Sequence, residues 1–331
     1  MAEGPIDFVI CWVDGSDPKW LKEKVKYQPN KRNDNRDIRY RDWDILQYWF
    51  RGVEKFAPWV NKIHFVTWGH IPVWLNTSHP KLNIVRHDDY IPNEYLPTFS
   101  ARPIELNFHR IKGLSEKFVY FNDDMFILKS LKETDFFIDG KPCDMGVMDI
   151  AIKPDEAHGS AVYNAINIIN KHFDKKNIIK GNVLNWINPI YGRELLKTLL
   201  LMPWGYFTGF YTPHLPNSFL KSTYQTVWEK EQDILHLTST HKFRDKHDVT
   251  QYIFKFWQLA SNNFVKRGNI GRNFILGNND QKAILAILKQ KHRLICLNDS
   301  DDITNFKQLK KDIIASFEKI LPNRSQFERY I

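Results

Sequence analysis

The amino-acid sequence predicts an α/β protein whose central sheet is mostly parallel. Over about the first 130 residues, short runs of β-branched and aromatic residues alternate with segments in which apolar residues recur at helical spacing. Such alternation is typical of parallel strands joined by helices that pack on the sheet. Two of the runs, 6–13 and 117–121, end in polar turn sequences, as buried strands do at the edge of a sheet.

Each predicted element has a local signal. The run 6–13 stops at Asp14-Gly15-Ser16-Asp17-Pro18, which indicates a turn and then a helix from about Trp20. Apolar residues at helical spacing predict a second helix over 44–56, which Pro58 ends. The same two kinds of pattern predict the remaining elements, which are strands at 62–68, 82–86, 117–121 and 293–297, and helices at 104–114, 218–228, 249–264 and 304–321. Residues 160–201 are mainly helical in pattern, with a break around Gly181 and Pro189.

No stretch of the sequence has the composition of a linker, so we expect a single domain over residues 1–331. Residues 1–130 supply the sheet and its ligand-binding edge, and residues 131–331 form a mainly helical part that completes the site. The predicted sheet is Rossmann-like or GT-A-like, with helical additions. Open sheets of this kind bind ligands outside the carboxyl ends of their strands, so side chains at those ends are the first candidates for function.

The charge balance of the chain favours an anionic partner. The 331 residues include 47 Lys and Arg against 38 Asp and Glu, a net charge of +9. Nucleotide phosphates, glycans and acidic lipid are all suitable partners, although such a charge also serves simple solubility. The basic residues are scattered along the chain, which argues against nucleic acid as a partner.

Cysteine usage and the amino-terminal segment predict the compartment. Cys11, Cys143 and Cys296 are few and far apart, which suits free thiols in a reducing environment better than disulfides. Residues 1–7 lack the basic start of a secretory signal, and no apolar run approaches the ~20 residues that cross a bilayer. We therefore expect a cytoplasmic protein that can also associate peripherally with the inner face of the plasma membrane.

Asn122-Asp123-Asp124 directly follows the predicted strand at 117–121. Two adjacent carboxylates at a strand end can hold a divalent cation, Mg²⁺ or Mn²⁺, which neutralises a diphosphate. A second apolar run ends in the same way at Asn298-Asp299, and the acids of the two strands would meet if the strands were neighbours. The plainer alternative is that both sequences are turns or helix caps.

The loop after the first strand contains Trp12, Val13, Asp14 and a glycine, and a nucleotide base or phosphate commonly docks at such a loop. Asp7, at the start of the same strand, could contact a ribose or a metal if it pointed into the cleft. Taken alone this is a weak signal, because the segment is equally typical of a sharp turn.

Thr212-Pro213-His214-Leu215-Pro216 places a histidine between two prolines, which stiffen its loop. Histidine is a natural acid or base near neutral pH, and Arg244 offers a planar guanidinium to phosphate oxygens. A surface histidine and a salt-bridged arginine are the ordinary alternatives, and His241 and His247 compete for the same role. The other histidines show no metal-ligand spacing and are interpreted as structural or exposed.

Several familiar catalytic motifs are missing from the sequence. It contains no P-loop, no Gly-x-Gly-x-x-Gly after the first strand, no Cys-x-x-Cys pair and no Gly-x-Ser-x-Gly elbow. Their absence counts against kinase, dehydrogenase, zinc-module and hydrolase interpretations. The aromatic-rich, basic character of the chain instead suits a sugar-binding cleft.

Four blocks of this sequence, in order, resemble the conserved regions of the Stealth family. That family includes bacterial capsule and exopolysaccharide phosphotransferases and the α/β precursor of animal N-acetylglucosamine-1-phosphotransferase. The segments that carry the resemblance are 6–18, 39–42, 53–60, 71–76, 96–100, 104–105, 109–111, 120–126, 213–216, 241–244 and 295–299. Because they span nearly the whole chain in order, chance is a poor explanation. The aromatic-rich segments 48–52 and 64–70 are similar to the bacterial branch.

The resemblance implies a reaction in which an acceptor hydroxyl attacks the sugar-bearing phosphate of a UDP-sugar and UMP leaves. The acceptor is expected to be a polysaccharide or a lipid-linked oligosaccharide. Two rival interpretations remain open. One is a GT-A-like glycosyltransferase that releases UDP, with Asn122-Asp123-Asp124 standing in for an Asp-x-Asp motif. The other is a non-catalytic glycan-binding protein that uses the positive charge and the 11 tryptophans.

The resemblance also implies roles for the residues singled out above. The residues expected to hold the divalent cation are Asp123, Asp124 and Asp299. The residues expected to carry catalysis are His214, Asp124 and Arg244, with His214 deprotonating the acceptor or donating to the phosphate. The residues expected to seat the nucleotide sugar are Asp7, Trp12, Val13, Asp14, Arg39 and Arg41, and the two arginines would help Arg244 to neutralise the transferred phosphate.

Overall fold

The computed structural model describes residues 4–28, 41–152, 157–278 and 280–329. Within these ranges the strands are β1 (Ile6–Cys11), β2 (Ile63–Thr67), β3 (Leu82–Arg86), β4 (Lys117–Phe121), β5 (Met125–Ile127), β6 (Phe137–Ile138), β7 (Lys141–Asp144), β8 (Asn217–Leu220), β9 (Val265–Lys266), β10 (Gly271–Ile275) and β11 (Leu294–Asn298). The α-helices are α1 (Pro18–Tyr27), α2 (Leu46–Phe56), α3 (His87–Tyr90), α4 (Ala101–Leu106), α5 (Ala157–His172), α6 (Lys175–Gly181), α7 (Val183–Trp186), α8 (Leu195–Leu201), α9 (Lys221–Lys230), α10 (Gln232–Thr240), α11 (Tyr252–Ala260), α12 (Asp280–Leu288) and α13 (Phe306–Ile320). Short 3₁₀ helices lie at Asn93–Tyr95, Phe108–Arg110, Glu133–Asp135 and Pro189–Glu194.

A five-stranded sheet in the order β3-β2-β1-β4-β8 forms the centre of the described part of the chain. β1 pairs in parallel with both β2 and β4, and β2 pairs in parallel with β3, so the carboxyl ends of four strands lie along one edge. β8 joins antiparallel beside β4, with Tyr120 opposite Asn217. The prediction of an α/β protein with a mostly parallel central sheet is confirmed.

Successive residues of the central strands supply cores on the two faces of the sheet, because side chains alternate along a strand. Phe8 and Phe121 pack on one face with residues of α2 and α13. Val9 and Phe118 pack on the other face with residues of α9 and α11. Since both faces are covered, these strands are mostly apolar, and this is why they could be recognised from the sequence.

Two predicted helices differ from the structure. The sequence predicts a helix over 218–228, but residues 217–220 form the buried strand β8, and α9 begins at Lys221. Pairing with β4 brings Phe219 to Phe118, with ring centroids 5.7 Å apart, and this tertiary contact overrides the local helical spacing. The helix predicted at 104–114 begins earlier, at Ala101, where the Ser100 side chain caps it, and it ends at Leu106. A 3₁₀ helix at Phe108–Arg110 follows it.

A second sheet, in the order β10-β11-β5, supports the turn that follows β4. β11 runs antiparallel to β5, with Cys296 opposite Met125. The Leu297 amide donates to the Asp124 carbonyl at 2.8 Å. Strands from distant parts of the chain therefore hold Asn122-Asp123-Asp124 from both sides.

The part of the chain after β4 adds smaller units to the central sheet. β6, β7 and β9 form a third sheet, and β8 from this part of the chain completes the central one. None of the helices within the described ranges combines the length and the apolar character that crossing a membrane requires.

Asp7 occupies the edge of the sheet opposite to the one expected for a ligand. It lies fully buried at the amino end of β1. Its carboxylate accepts hydrogen bonds from Asn61 Nδ2 at 2.8 Å and from the amides of Lys62 and Ser115 at 3.1 and 2.8 Å, and it lies 3.1 Å from His64 Nε2. The structure therefore corrects the expectation that Asp7 contacts a nucleotide or a metal, because ligands bind at the carboxyl ends of parallel strands.

Asp7→Ala is expected to lower the free energy of unfolding by about 3 kcal/mol, because several buried donors lose their acceptor together. Chemical denaturation followed by tryptophan fluorescence measures the change. Asp233→Ala, at an exposed position on α10, is the control and should shift stability by less than about 1 kcal/mol. Equal effects of the two substitutions would contradict the structural role of Asp7.

Candidate active site

Asp124 lies in the tight turn between β4 and β5, which the Met125 amide closes by donating to the Asn122 carbonyl at 3.2 Å. β11 supports the turn from one side, since the Cys296 thiol donates to Asp124 Oδ2 at 3.2 Å. Because β8 is antiparallel to β4, the loop that precedes β8 ends at the same turn. His214 lies in that loop, and its Nε2 is 3.2 Å from Asp124 Oδ2.

Asp124, His214 and Cys296 thus form a compact group, in which one ligand atom of each lies within 4.8 Å of the others. The two oxygens of Asp124 differ in their surroundings. Oδ2 contacts the histidine and the thiol, whereas Oδ1 is buried and has no hydrogen-bond partner among the described residues. A buried carboxylate oxygen without a partner is costly, and it is the kind of atom that binds a hard cation.

The surroundings of the site shift the pKa values of His214 and Asp123. Burial alone would lower the pKa of His214, but the hydrogen bond and the negative charge of Asp124 outweigh it, so this pKa is raised. Asp123 is accessible to solvent yet surrounded by protein. That desolvation, together with the neighbouring charge of Asp124, raises the pKa of Asp123 to about 7. Protons can therefore be exchanged at this turn near pH 7.

Glu105 is a buried carboxylate close to this group to which the sequence analysis assigns no role. Burial raises its pKa to about 7, although the Tyr120 hydroxyl, which donates to it at 2.8 Å, and the positive charges of Arg244 and Arg102 act in the opposite direction. No spacing rule singles out Glu105, because its burial results from the packing of α4 against β4.

Arg244 is half-buried, and its charge and that of His214 both act on Glu105. The two residues expected to act on the transferred phosphate are therefore both close enough to Glu105 to influence its pKa. Phe243, next to Arg244, stacks on Phe99 at 5.4 Å, and the Phe99 amide donates to the Lys242 carbonyl at 2.9 Å. These contacts attach the loop of Arg244 to the segment before α4.

The competing histidines lie elsewhere. His241 Nδ1 is 2.6 Å from a carboxylate oxygen of Asp248, which also forms a buried ion pair with Arg102. His247 Nδ1 is 2.7 Å from Asp245 at the surface. Of the three candidate histidines, His214 contacts Asp124, whereas His241 and His247 contact other acids.

Asp299 follows β11 but does not join the group around Asp124. Its carboxylate accepts a hydrogen bond from Trp43 Nε1 at 3.1 Å and pairs with Arg41 at 3.4 Å. Within the described ranges, Cys296 and His214 are therefore gathered around Asp124, and the expected trio with Asp299 is not formed. Arg39, the other arginine expected near the phosphate, lies outside the described residues.

A cleft of about 580 Å³ opens at the same edge of the sheet, where the chain leaves β1, β2 and β3. The residues that line it are Asp17, Lys19, Glu23, Trp68, Gly69, His70, Arg86, His87, Asp88, Leu96, Pro97 and Thr98. Neighbouring strands are about 4.8 Å apart, so the turn after β4 lies one strand along the same edge. The position agrees with the general rule for ligands of open α/β sheets.

Two neutral histidines line the cleft. Burial lowers the pKa of His70, and it lowers the pKa of His87 to about 3. The Asp14 amide donates to His70 Nε2 at 2.7 Å, which assigns the ring proton of the neutral form to Nδ1. The Nδ1 atoms of both rings are buried and have no hydrogen-bond partner among the described residues, although Asp17 Oδ2 lies 3.8 Å from His70 Nδ1.

The loop after β1 packs behind two residues that line this cleft, Trp68 and His70. The Trp12 ring meets the His70 ring edge-on at 5.3 Å, and Val13 packs with Trp68 on a small apolar cluster. Trp12, Val13 and Asp14 are absent from the residues that line the cleft within the described ranges. They support lining residues, and the sequence analysis therefore found the loop but not the cleft itself.

Two family models match this chain. They are those of Stealth protein CR1, conserved region 1, at residues 4–32, and of Stealth protein CR2, conserved region 2, at residues 39–144. The capsular polysaccharide phosphotransferase WcwK of Streptococcus pneumoniae is 43% identical over 328 residues, which cover 98% of each chain. The chain belongs to the Stealth family. The resemblance predicted from the sequence is confirmed, and this Stealth protein is an enzyme, a phosphotransferase.

Further relatives of this Stealth protein match over similar lengths. The receptor polysaccharide phosphotransferase WefC of Streptococcus oralis is 40% identical over 98% of this chain and 99% of its own. The exopolysaccharide phosphotransferase cps2G of Lactiplantibacillus plantarum is 38% identical over 99% and 98%. Among solved structures, the bifunctional glycosyltransferase WbbM has a TM-score of 0.40 at 12% identity, covering 96% of this chain and 52% of that one.

Asp124→Asn is expected to lower the pKa of His214, because the substitution removes a negative charge and weakens the hydrogen bond to Nε2. An NMR titration of the histidine ring signals measures the shift. Asp245→Asn is the matched control, since Asp245 contacts His247 and should leave the His214 titration in place. A His214 pKa that is the same in the wild type and in Asp124→Asn would refute the coupling.

Proposed function

We propose that this Stealth protein transfers a hexose- or N-acetylhexosamine-1-phosphate from a UDP-sugar to a hydroxyl of a cell-surface polysaccharide or of its lipid-linked repeat unit. The names of its relatives, phosphotransferases of capsular, receptor and exopolysaccharides, support the reaction class and the acceptor. One observation carries the chemistry. Asp124 has one oxygen 3.2 Å from His214 and another that is buried without a hydrogen-bond partner among the described residues.

In the proposed reaction the acceptor oxygen bonds to the phosphorus that carries the sugar. The bond from that phosphorus to UMP breaks, and a phosphodiester forms. The bond between sugar C1 and its oxygen is untouched, so the anomeric configuration is kept. Phosphoryl transfer of this kind depends on in-line positioning and on neutralisation of charge more than on a strong nucleophile.

His214 is assigned to accept the proton of the acceptor hydroxyl. Its Nε2 faces Asp124, and Nδ1 makes no hydrogen bond with the described residues, so Nδ1 is the atom that can meet the acceptor. Because Asp124 raises the pKa of His214, the neutral ring is a stronger base than an ordinary histidine. Donation to a phosphate oxygen, the alternative role, would need the protonated ring.

The turn after β4 has a donor set that fits a divalent cation. Asp124 Oδ1 and the accessible carboxylate of Asp123 are hard oxygen ligands, which Mg²⁺ and Mn²⁺ prefer. A cation held there would neutralise the diphosphate of the donor. The Cys296 thiol is not part of this set, because burial and the charge of Asp124 raise its pKa well above the ordinary value and keep it protonated.

The cleft at the ends of β1, β2 and β3 is assigned to the nucleoside end of the donor. Its volume of about 580 Å³ is typical of small-molecule sites. Trp68 offers an aromatic surface, and Lys19 and Arg86 offer positive charge. A donor that lies along the sheet edge from this cleft would bring its diphosphate to the turn after β4, one strand away.

Asp124→Asn and His214→Ala are each expected to reduce turnover by about 10³-fold, while the thermal unfolding temperature stays close to that of the wild type. Release of UMP from a panel of UDP-sugars, with Mg²⁺ or Mn²⁺ and an acceptor polysaccharide, measures turnover. Asp233→Asn and His247→Ala, at exposed positions, are the controls and should remain active. Release of UDP in place of UMP would identify a glycosyltransferase and refute the proposal, and full activity of both site variants would favour a non-catalytic glycan-binding protein.

Removal of divalent cations with EDTA is expected to stop UMP release, and Mg²⁺ or Mn²⁺ should restore it. Asp123→Asn is expected to raise the cation concentration for half-maximal activity by about tenfold, because one oxygen ligand is lost. Asp299→Asn tests the other acid and should leave that concentration unchanged, since Trp43 and Arg41 hold its carboxylate. If Asp299→Asn had the larger effect, the cation would have to be assigned to Asp299.

A further inference from the structure

Exposed apolar side chains are concentrated in one part of the molecule. Of the 18 large hydrophobic residues that are exposed within the described ranges, ten are Ile150, Ile152 and residues between 183 and 206. Leu184 is 69% exposed, Leu200 is 64% exposed and Trp204 is 47% exposed. These ten side chains are called the apolar surface below. Scattered single apolar residues need no explanation, but such a concentration is typical of an interaction site.

The parts of the apolar surface are joined by direct contacts. The Met148 amide donates to Thr198 Oγ1 on α8 at 3.0 Å, and Lys197 on α8 pairs with Asp149 at 2.8 Å. The Ala151 amide donates to the Thr208 carbonyl at 2.9 Å. The segment that carries Ile150 and Ile152 therefore lies against α8 and against the loop that follows it.

The inner side of the same segment already packs on the core. Trp186 on α7, Leu201 at the end of α8 and Phe207 are buried in the apolar cluster on one face of the central sheet. On α8, Leu196, Leu199 and Leu200 point outwards and are exposed. A helix that is apolar on its outer side as well as its inner side is expected where a second apolar environment covers it.

The charges around the apolar surface restrict what that environment can be. Residues 171–206, which include eight of the ten side chains, carry six basic residues against two acidic ones, and of the six only Lys175 is buried. Asp149, beside Ile150, pairs with Lys197. Lys176, Lys180 and Arg193 are exposed, and Glu194 is paired with Arg193 and Lys197. A second copy of this chain would bring like charges together, whereas an anionic lipid bilayer offers both an apolar interior and opposite charge.

We propose that this enzyme docks peripherally on anionic lipid bilayers through the apolar surface and the basic residues beside it. The leucines of α7 and α8 enter the boundary of the acyl chains, and the basic residues contact the lipid headgroups. Trp204 and Tyr206 are the residue types that favour the membrane–water boundary.

Docking in this way would also bring the proposed active site close to the surface of the bilayer. Tyr211, three residues before His214, lies under Lys197 of α8, with the ammonium 4.8 Å from the ring centre. The helix that carries part of the apolar surface therefore contacts the segment that leads to His214. Resting on the proposed function, this contact means that a docked enzyme meets a lipid-linked acceptor near the headgroup layer.

Co-sedimentation of the full chain with lipid vesicles tests the docking. Wild-type protein should bind vesicles of phosphatidylcholine mixed with phosphatidylglycerol, and should bind vesicles of phosphatidylcholine alone much less. The combined variant Leu196→Ser, Leu200→Ser and Trp204→Ala should reduce binding by about tenfold or more. The matched control, Val73→Ser, Leu237→Ser and Leu285→Ser, removes exposed apolar residues elsewhere and should bind like the wild type.

Three results would overturn the docking proposal. They are absence of wild-type binding to both kinds of vesicle, equal loss of binding in the two variants, and a wild-type dimer in light scattering that the first variant alone dissociates. A second assay distinguishes this proposal from the proposed function. It measures UMP release when the acceptor is water-soluble and no vesicles are present. The first variant should retain that activity, whereas failure of all UDP-sugars with vesicle binding intact would refute the function and leave the docking standing.

Discussion

The contact between Asp124 and His214 is the constraint on which the active site depends. The two residues are 90 positions apart and meet because β8 lies antiparallel beside β4. Burial of Phe118 against Phe219 stabilises that pairing, and β11 supports the other side of the turn through Cys296. Three distant parts of the chain therefore converge on one carboxylate, whose two oxygens are left in different environments. A change in the register of β8 would separate the histidine from the acid.

Burial and neighbouring charge give the histidines of this protein different chemistry. His214 is half-buried, but the carboxylate beside it favours the protonated ring, and its pKa is raised. No carboxylate among the described residues forms a hydrogen bond with the His87 ring, and burial lowers its pKa to about 3. The two histidines that line the cleft at the ends of β1 to β3 are therefore neutral. In the proposed reaction, proton transfer takes place at the turn after β4.

The helical part of the chain has an inner side that packs on the central sheet and an outer side that is exposed. Its inner side, with Trp186 and Phe207, completes the core on one face of the sheet. Its outer side carries the apolar surface, and the same segment continues through Tyr211 to the loop of His214. In our proposals the membrane contact and the catalytic base therefore lie close together along the chain. Contact with lipid accounts for the apolar outer side of α8.

The sequence by itself determined the parallel sheet, the turn at Asn122-Asp123-Asp124 and the family, and it singled out His214 as a candidate, because alternation, turn residues and ordered blocks are local patterns. Tertiary structure alone decided that Asp7 is a buried structural acid, that Trp43 and Arg41 hold Asp299, and that residues 217–220 form a strand. The cleft also could not be predicted from the sequence, since its lining comes from segments that follow three different strands. The physical reason is common to all of these. Which strand ends become neighbours depends on pairing between distant segments, and no local pattern of residues records that pairing.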